Sequence, residues 1–162
     1  MYETLAEQWF RRVWNEGDLA AIDELLARNA VLHGLYGQVL RGPDGFRAFH
    51  AGLTAVFSRI RIEVLDEVGN GRHCAVRARA KLRHRATGRR LTLLGTSFIE
   101  VRSGQIVKGW NHWDFLGLLE GMKLMPEGSF EMAISGTLDA HPQAGGKARS
   151  GKKRTKKRRH GK

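Results

Sequence analysis

The sequence has little of what several classes of protein require. Its 162 residues include a single cysteine, Cys74, which excludes an intramolecular disulfide and a thiolate cluster for structural zinc. No apolar run approaches the ~20 residues of a membrane-spanning helix, and the N-terminus lacks the features of a signal peptide. We therefore expect a cytoplasmic protein without a membrane anchor. With 41% hydrophobic residues, the chain is long enough for one domain with a substantial core.

The excess of basic charge lies at the C-terminus. The chain carries a formal charge of +12, and ten of its 28 Lys and Arg residues lie in residues 146–162, where there is no acidic residue. The rest of the chain has a net charge of only +2. Because residues 135–162 contain almost nothing apolar and repel one another, we predict a domain of residues 1–134 followed by a disordered tail.

Two interpretations of this tail are open. One is weak, non-specific binding to nucleic acid or another acidic surface, without recognition of bases because the basic run has no aromatic residue. The other is a solubilising extension without a partner. The candidate polyanion-binding residues are Lys152, Lys153, Arg154, Lys156, Lys157, Arg158 and Arg159.

The N-terminal part of the sequence predicts three helices and one strand. Apolar residues recur at helical spacing through residues 2–14, and Gly17 can take the left-handed conformation that ends a helix. Asp18 is then a candidate N-cap for a second helix, and Pro43 suits the first turn of a third. Residues 30–40 lie between these two helices and read as one strand interrupted by glycines.

After residue 58 the hydrophobic period changes to two, which is typical of strands. The clearest alternation places Val76, Ala78, Ala80 and Leu82 on one face and Arg77, Arg79, Lys81, Arg83 and Arg85 on the other. We interpret the basic face as a solvated outer surface, and a nucleic-acid-binding surface is the alternative. Turn residues separate four such strands. The pattern predicts an α+β fold with helices covering one face of a largely antiparallel sheet.

Several segments together are similar to a known family. They are residues 14–19, 22–26, the strand containing His33, and residues 42–46, 87–90, 104–107 and 110–119. In order and spacing, residues 2–126 resemble the SnoaL-like polyketide cyclase or ester cyclase family of the nuclear transport factor 2-like superfamily. The resemblance implies a cone-shaped fold, in which a curved antiparallel sheet wraps around N-terminal helices and leaves a hydrophobic pocket between them.

The resemblance also implies a range of functions. Cyclases of that family close rings by intramolecular aldol condensation, using an acidic residue on a late strand and neither a metal nor an organic cofactor. Relatives with the same fold isomerise, dehydrate or only bind, so the fold leaves the activity open. We therefore expect either a cofactor-independent cyclase, isomerase or lyase acting on a small apolar or aromatic carbonyl compound, or a non-catalytic binding module. A homodimer is also implied, although the charged strand face disfavours it.

Asp114 and His33 are the catalytic candidates. Asp114 matches the family's aspartate after the tryptophan of the last strand, and a carboxylate in an aromatic setting can remove a proton next to a carbonyl. Its position directly before Phe115 equally fits the N-cap of a short helix, and both roles remain open. His33 matches a histidine common in the family's first strand and is a candidate acid, base or oxyanion donor. The alternative is a histidine with satisfied hydrogen bonds in the pocket wall.

The candidate ligand-pocket residues lie on helices and on the last strand. They are Trp14, Phe49, Phe57, Trp110, Asn111, His112 and Trp113. Strand alternation allows either His112, or Asn111 and Trp113, to face the pocket. Asn111 stands where many relatives carry an aspartate, which weakens the case for cyclase activity. Glu100 lies outside the pocket if Ile99 fills the core. The histidines show no metal-ligand spacing, so no metal site is predicted.

Overall fold

The structure, a computed structural model, describes residues 3–35 and 37–138. The chain divides into two compact units, Met1–Ser129 and Phe130–Lys162. The candidate polyanion-binding residues, and the predicted tail from residue 139 onward, lie outside the described residues. Within the described ranges, no helix has the length and apolarity needed to cross a bilayer.

The described part of the chain contains five α-helices, one π-helical segment and six strands. In chain order they are α1 (Leu5–Trp9), the π-helical segment (Phe10–Glu16), α2 (Ala20–Leu25), β1 (Leu26–Leu35), β2 (Gln38–Arg41), α3 (Gly42–Val56), β3 (Phe57–Gly69), β4 (His73–His84), β5 (Arg90–Arg102), β6 (Gln105–Trp113), α4 (Phe115–Gly121) and α5 (Ser129–Ile134). The predicted α+β class, with N-terminal helices and a curved sheet, is confirmed.

The corner between the first helices forms as its residues predict. The π-helical segment ends at Gly17, whose φ of 73° is in the left-handed region that favours glycine. Asp18 Oδ1 then accepts hydrogen bonds from the backbone N–H groups of Ala20 and Ala21, at 3.1 and 3.3 Å. These bonds satisfy N–H groups that have no partner inside α2. The chain therefore reverses within a few residues and keeps the apolar sides of both segments on the core.

The six strands form one sheet in the order β2-β1-β6-β5-β4-β3. All neighbouring pairs are antiparallel except β1 and β6, which run parallel and pair His33 with Trp110. The single strand predicted over residues 30–40 is instead a hairpin of β1 and β2. Gly37 lies in its turn with a φ of 67°, and Leu35 pairs with Gln38 across it. The parallel pairing brings the N-terminal strand beside the last strand.

The two faces of the sheet have opposite chemistry. On β4 the alternation is as predicted, with Val76 and Ala78 buried on the inner face. On the outer face, Arg77 forms an ion pair with Asp66 of β3, and Arg79 with Glu63 of the same strand. These pairs fit the interpretation of the basic face as a solvated surface. The inner face is therefore the one that the helices must cover.

Gly95 on β5 makes room for the indole ring of Trp113. The two residues pair in register on β5 and β6, and Trp113 is packed against the core. A Cβ atom at position 95 would lie 2.3 Å from Cδ2 of Trp113, well inside van der Waals contact. The absence of a side chain at this position is thus a requirement of the packing.

We expect Gly95→Ala to lower the free energy of unfolding by about 1–3 kcal/mol, because the indole ring must move out of a packed site. Gly52→Ala is the matched control, since Gly52 lies in α3 with open space around its Cα. That change should raise the free energy of unfolding by up to about 1 kcal/mol through helix propensity. Urea titration measures both values. Equal stability of Gly95→Ala and the unchanged protein would contradict the packing of Trp113.

Candidate active site

A cavity of about 110 Å³ lies between the inner face of the sheet and a helical wall formed by α1, the π-helical segment, α3 and α4. Aromatic side chains such as Trp9 and Phe46 form its helical wall, and aliphatic side chains such as Leu32 and Ile99 form its sheet wall. An engineered cavity of about 150 Å³ with a similar lining stays dry and binds benzene. The cavity therefore has the size and chemistry to hold a single small ring.

Ser97 and Asn111 bring polarity into this apolar wall. Among the described lining residues, Ser97 and Asn111 have the only polar side chains apart from the tryptophan indoles. These lining residues include no carboxylate and no imidazole. Ser97 lies on β5 and pairs in register with Asn111 on β6. The Ser97 hydroxyl donates a hydrogen bond of 2.7 Å to Oδ1 of Asn111, whose Nδ2 donates to the backbone carbonyl of His33 at 3.0 Å. These two hydrogen bonds connect three strands. The Ser97 hydroxyl, the Asn111 amide and the His33 carbonyl together form what we call the polar point.

Ser97 is not among the site residues predicted from the sequence, although its position on β5 is a signal for it. On β5, Leu93, Gly95, Ser97 and Ile99 are all buried, so alternation places the serine on the core face. A small polar residue on an otherwise apolar strand face is a candidate site residue, because burying an unpaired hydroxyl costs free energy. Here that cost is removed by its bond to Asn111.

Five of the seven candidate pocket residues line the cavity. They are Trp14, Phe49, Phe57, Asn111 and Trp113. Trp110 and His112 are not among the lining residues and instead border a shallow groove on the outer face of the sheet. Alternation along β6 is the reason, because Asn111 and Trp113 take the inward positions. In the structure, Asn111 and Trp113 face the cavity and His112 does not.

His33 also lies on the outer face. Its ring stacks on Trp110 with 5.8 Å between ring centroids and an angle of 12° between the planes. Trp110 in turn contacts Phe98, which stacks on His73 at 5.6 Å. These four rings form a row across β1, β6, β5 and β4. His33 contributes only its backbone carbonyl to the polar point beside the cavity, since its imidazole points away from it.

Asp114 caps helix α4 and is exposed to solvent. Its Oδ1 accepts a hydrogen bond of 2.8 Å from the backbone N–H of Gly117, in the first turn of the helix. It is not one of the residues that line the cavity. The chain leaves the strand conformation at Asp114, with φ −72° and ψ 72°, so strand alternation no longer sets the direction of its side chain. Of the two roles that the sequence left open, the structure contains the capping interaction.

Glu100 is a buried carboxylate on the outer side of β5, away from the cavity lining. Its side chain is only 8% exposed and forms ion pairs with Arg72, Arg102 and Lys108, at 3.4, 2.6 and 4.0 Å. The hydrogen bond from Arg102 is the main reason that the pKa of Glu100 lies below its usual value. Glu100 therefore stays ionised and belongs to the ion pairs of the outer face. This agrees with the prediction that Glu100 lies outside the pocket when Ile99 fills the core.

Two other buried titratable groups do not line the cavity. Burial raises the pKa of Cys74 to about 12, and the neighbouring carboxylate of Glu67 adds to the effect. The thiol is therefore protonated and a poor nucleophile at neutral pH. Burial lowers the pKa of His50, which contacts the ring of Trp14 at 4.8 Å. No cluster of three or more metal-ligating side chains occurs within residues 3–35 and 37–138.

The family assignment rests on the length of the match. The profile of the SnoaL-like domain matches residues 6–109, which is more than half of the chain. The chain belongs to the SnoaL-like domain family. The resemblance found in the sequence is thereby confirmed. The matched range includes Ser97 of the polar pair in this SnoaL-like domain, and it ends just before Asn111.

Several solved structures have the same fold. IdmH from Streptomyces antibioticus, a proposed polyketide cyclase, is 26% identical over 74% of this chain and 96% of its own, with a TM-score of 0.66. TsrD from Streptomyces laurentii is 23% identical over 75% and 93% of the two chains, with a TM-score of 0.67. A protein from Catenulispora acidiphila with a ketosteroid isomerase-like fold, in complex with trimethylamine, is 12% identical over 75% and 93%, with a TM-score of 0.68. A comparison with curated proteins finds no match.

Substitutions at Asp114 can distinguish a capping role from a catalytic one. Asp114→Ala should lower the free energy of unfolding by about 0.5–2 kcal/mol, because the N–H group of Gly117 loses its partner. Asp114→Asn should change it little, since asparagine caps helices about as well as aspartate. Urea denaturation measures both changes. Ligand binding to the cavity should be unaffected in Asp114→Asn, and a loss of binding there would contradict a purely capping role.

Proposed function

We propose that this SnoaL-like protein binds a small, largely apolar compound in the cavity between its helices and its sheet. The observation that carries the proposal is the apolar cavity wall with one hydrogen-bonded polar pair, Ser97 and Asn111. Ligand sites of small molecules commonly combine a hydrophobic lining with a few placed polar groups. The volume of about 110 Å³ favours a compound built on one ring.

The expected affinity follows from the area that such a ring buries. An aromatic side chain of this size buries about 150–250 Å². At about 25 cal/mol per Å², this contributes roughly 4–6 kcal/mol. The dissociation constant of a simple ring compound should therefore lie between about 0.05 and 1 mM. Tighter binding requires that the ligand also uses the polar pair.

Binding is favoured over acid–base turnover by the chemistry of the wall. Aldol cyclisation needs a base to remove a proton beside a carbonyl, and donors to stabilise the enolate oxygen. The described lining residues supply no carboxylate and no imidazole, while Asp114 caps α4 and the ring of His33 stacks on Trp110. Likeness to IdmH is the reason to assay cyclase activity as well. We therefore propose that the protein binds its ligand without converting it.

Toluene is a suitable probe for the cavity. Three of the four tryptophans, Trp9, Trp14 and Trp113, line it, whereas Trp110 does not. Addition of toluene should therefore shift the indole N–H signals of these three tryptophans in NMR spectra and leave that of Trp110 nearly unchanged. Equal shifts of all four signals, or none, would contradict binding in the cavity.

A substitution that fills the cavity provides the complementary test. Ala80 on β4 lines the cavity, so Ala80→Leu should weaken toluene binding at least tenfold by occupying its space. Ala51→Leu is the matched control, because Ala51 lies exposed on α3 and does not line the cavity. Urea titration of both variants confirms that they are folded. Equal toluene affinity in Ala80→Leu and Ala51→Leu would place the ligand elsewhere.

We also propose, as a second candidate function, that residues 146–162 bind nucleic acid without sequence preference. The supporting observation is their ten Lys and Arg residues without an acid. Each phosphate that these residues neutralise releases a counterion, so affinity should fall steeply with salt. The basic face of β4 is less suited, because Arg77 and Arg79 are already paired with acids of β3.

Removal of residues 146–162 should abolish binding to a single-stranded oligonucleotide. For the full chain, the logarithm of the association constant should fall with the logarithm of salt, by about 0.7 per contacted phosphate. The double variant Lys81→Gln with Arg83→Gln, on the outer face of β4, is the control and should bind like the unchanged protein. Binding that survives the truncation, or no binding near physiological salt, would refute the tail's role.

A further inference from the structure

We propose that the compound bound in the cavity carries a hydroxyl group, which Ser97 and Asn111 recognise in preference to a carbonyl or an amine. This inference rests on the proposed function of the same cavity and specifies the chemical class of its ligand. It depends on the direction of each hydrogen bond at the polar point. Those directions follow from which groups can donate a hydrogen and which can only accept one.

The orientation of the Asn111 amide is determined by its partner on β1. The backbone carbonyl of His33 can only accept a hydrogen bond, so the group that faces it at 3.0 Å must be the amide nitrogen of Asn111. The amide oxygen then faces Ser97, whose hydroxyl lies at 2.7 Å and must donate to it. The single hydrogen of Ser97 is therefore used inside the protein.

The remaining hydrogen-bonding capacity is rich in acceptors. Ser97 Oγ keeps its two lone pairs, Asn111 Oδ1 keeps one, and Asn111 Nδ2 keeps one N–H group. A ligand hydroxyl fits this set, because it can donate to Ser97 Oγ and accept from Asn111 Nδ2. A ligand carbonyl can use only the single N–H group, and its own lone pairs would face those of Ser97.

A charged amine is disfavoured for a different reason. An ammonium group buried in an apolar cavity loses its hydration, and without a carboxylate only the aromatic rings of the wall can partly offset that loss. Among the described lining residues there is no carboxylate, and the outer-face acid Glu100 is engaged by Arg102. The polar point therefore favours a neutral donor, and a phenol is the simplest compound that combines such a donor with one ring.

The polar point is held rigidly, which gives it the ability to discriminate. Ser97 and Asn111 face each other in register on β5 and β6, and the carbonyl of His33 comes from β1, which pairs with β6. Gly34 follows on β1, where a Cβ atom would lie 1.9 Å from the carbonyl oxygen of Asn111. This close approach of the two backbones keeps the His33 carbonyl within reach of the Asn111 amide.

The experiment compares three probes of similar size, namely phenol, toluene and benzaldehyde, by NMR titration. The unchanged protein should bind phenol more tightly than benzaldehyde. In Ser97→Ala the affinity of phenol relative to toluene should fall about two- to twelve-fold, the equivalent of one hydrogen bond. Ser97→Cys should show a similar loss, because a thiol is a weak acceptor. Thr96→Ala removes a hydroxyl from the exposed face of the same strand and should leave the ratio unchanged.

The outcomes separate this inference from the proposed function. If toluene binds but the ratio of phenol to toluene affinity is the same in Ser97→Ala, the hydroxyl preference is refuted while binding in the cavity stands. If benzaldehyde binds the unchanged protein more tightly than phenol, the preference is likewise refuted. If none of the three probes binds the folded protein, the proposed function itself fails.

Discussion

The apolar inner face of the sheet is the constraint on which the rest of the structure depends, because it must be covered. The N-terminal helices cover it with large aromatic rings, and these rings also pack against one another. Trp9 meets Phe46 edge to face with 4.7 Å between centroids, and Trp14 meets the same ring at 5.8 Å. A cluster of planar rings is stiff, since its side chains have few rotamers that avoid a clash. The ring cluster covers the curved sheet but does not fill the whole space between the helices and the sheet. The cavity is the space that remains.

This origin of the cavity also explains where charge is found. A charged group cannot be placed in an apolar space without partners, so the charged residues of the sheet lie on its outer face. Glu100 is the clearest case, with three cationic neighbours around a nearly buried carboxylate. Inside, only groups that satisfy each other are tolerated, and Ser97 and Asn111 meet that condition. Among the described lining residues, Ser97 and Asn111 therefore supply neutral hydrogen-bonding groups.

Local chemistry made much of the fold predictable from the sequence, and long-range pairing accounts for what was missed. The helix end at Gly17 and the alternation on β4 depend on residues that are close together in the sequence. Both features can therefore be predicted from the sequence. The parallel pairing of β1 with β6 joins segments that are distant in sequence, and only the folded chain reveals it. The same division holds at the site. Alternation allowed Asn111 to face inward, whereas the direction of Asp114 depends on where β6 ends and α4 begins, which the pattern leaves ambiguous.

Asparagine at position 111 has a consequence that aspartate at the same position would not have. The amide can donate to the carbonyl of His33 and accept from Ser97 at once, whereas a carboxylate would set two acceptors against each other at 3.0 Å. An aspartate in this place would have to be protonated or to turn away from β1. The amide does not titrate, so the polar point keeps the same charge and the same hydrogen-bond directions across the physiological pH range. In this chain, the choice of an amide joins three strands and at the same time removes the carboxylate that acid–base chemistry would need.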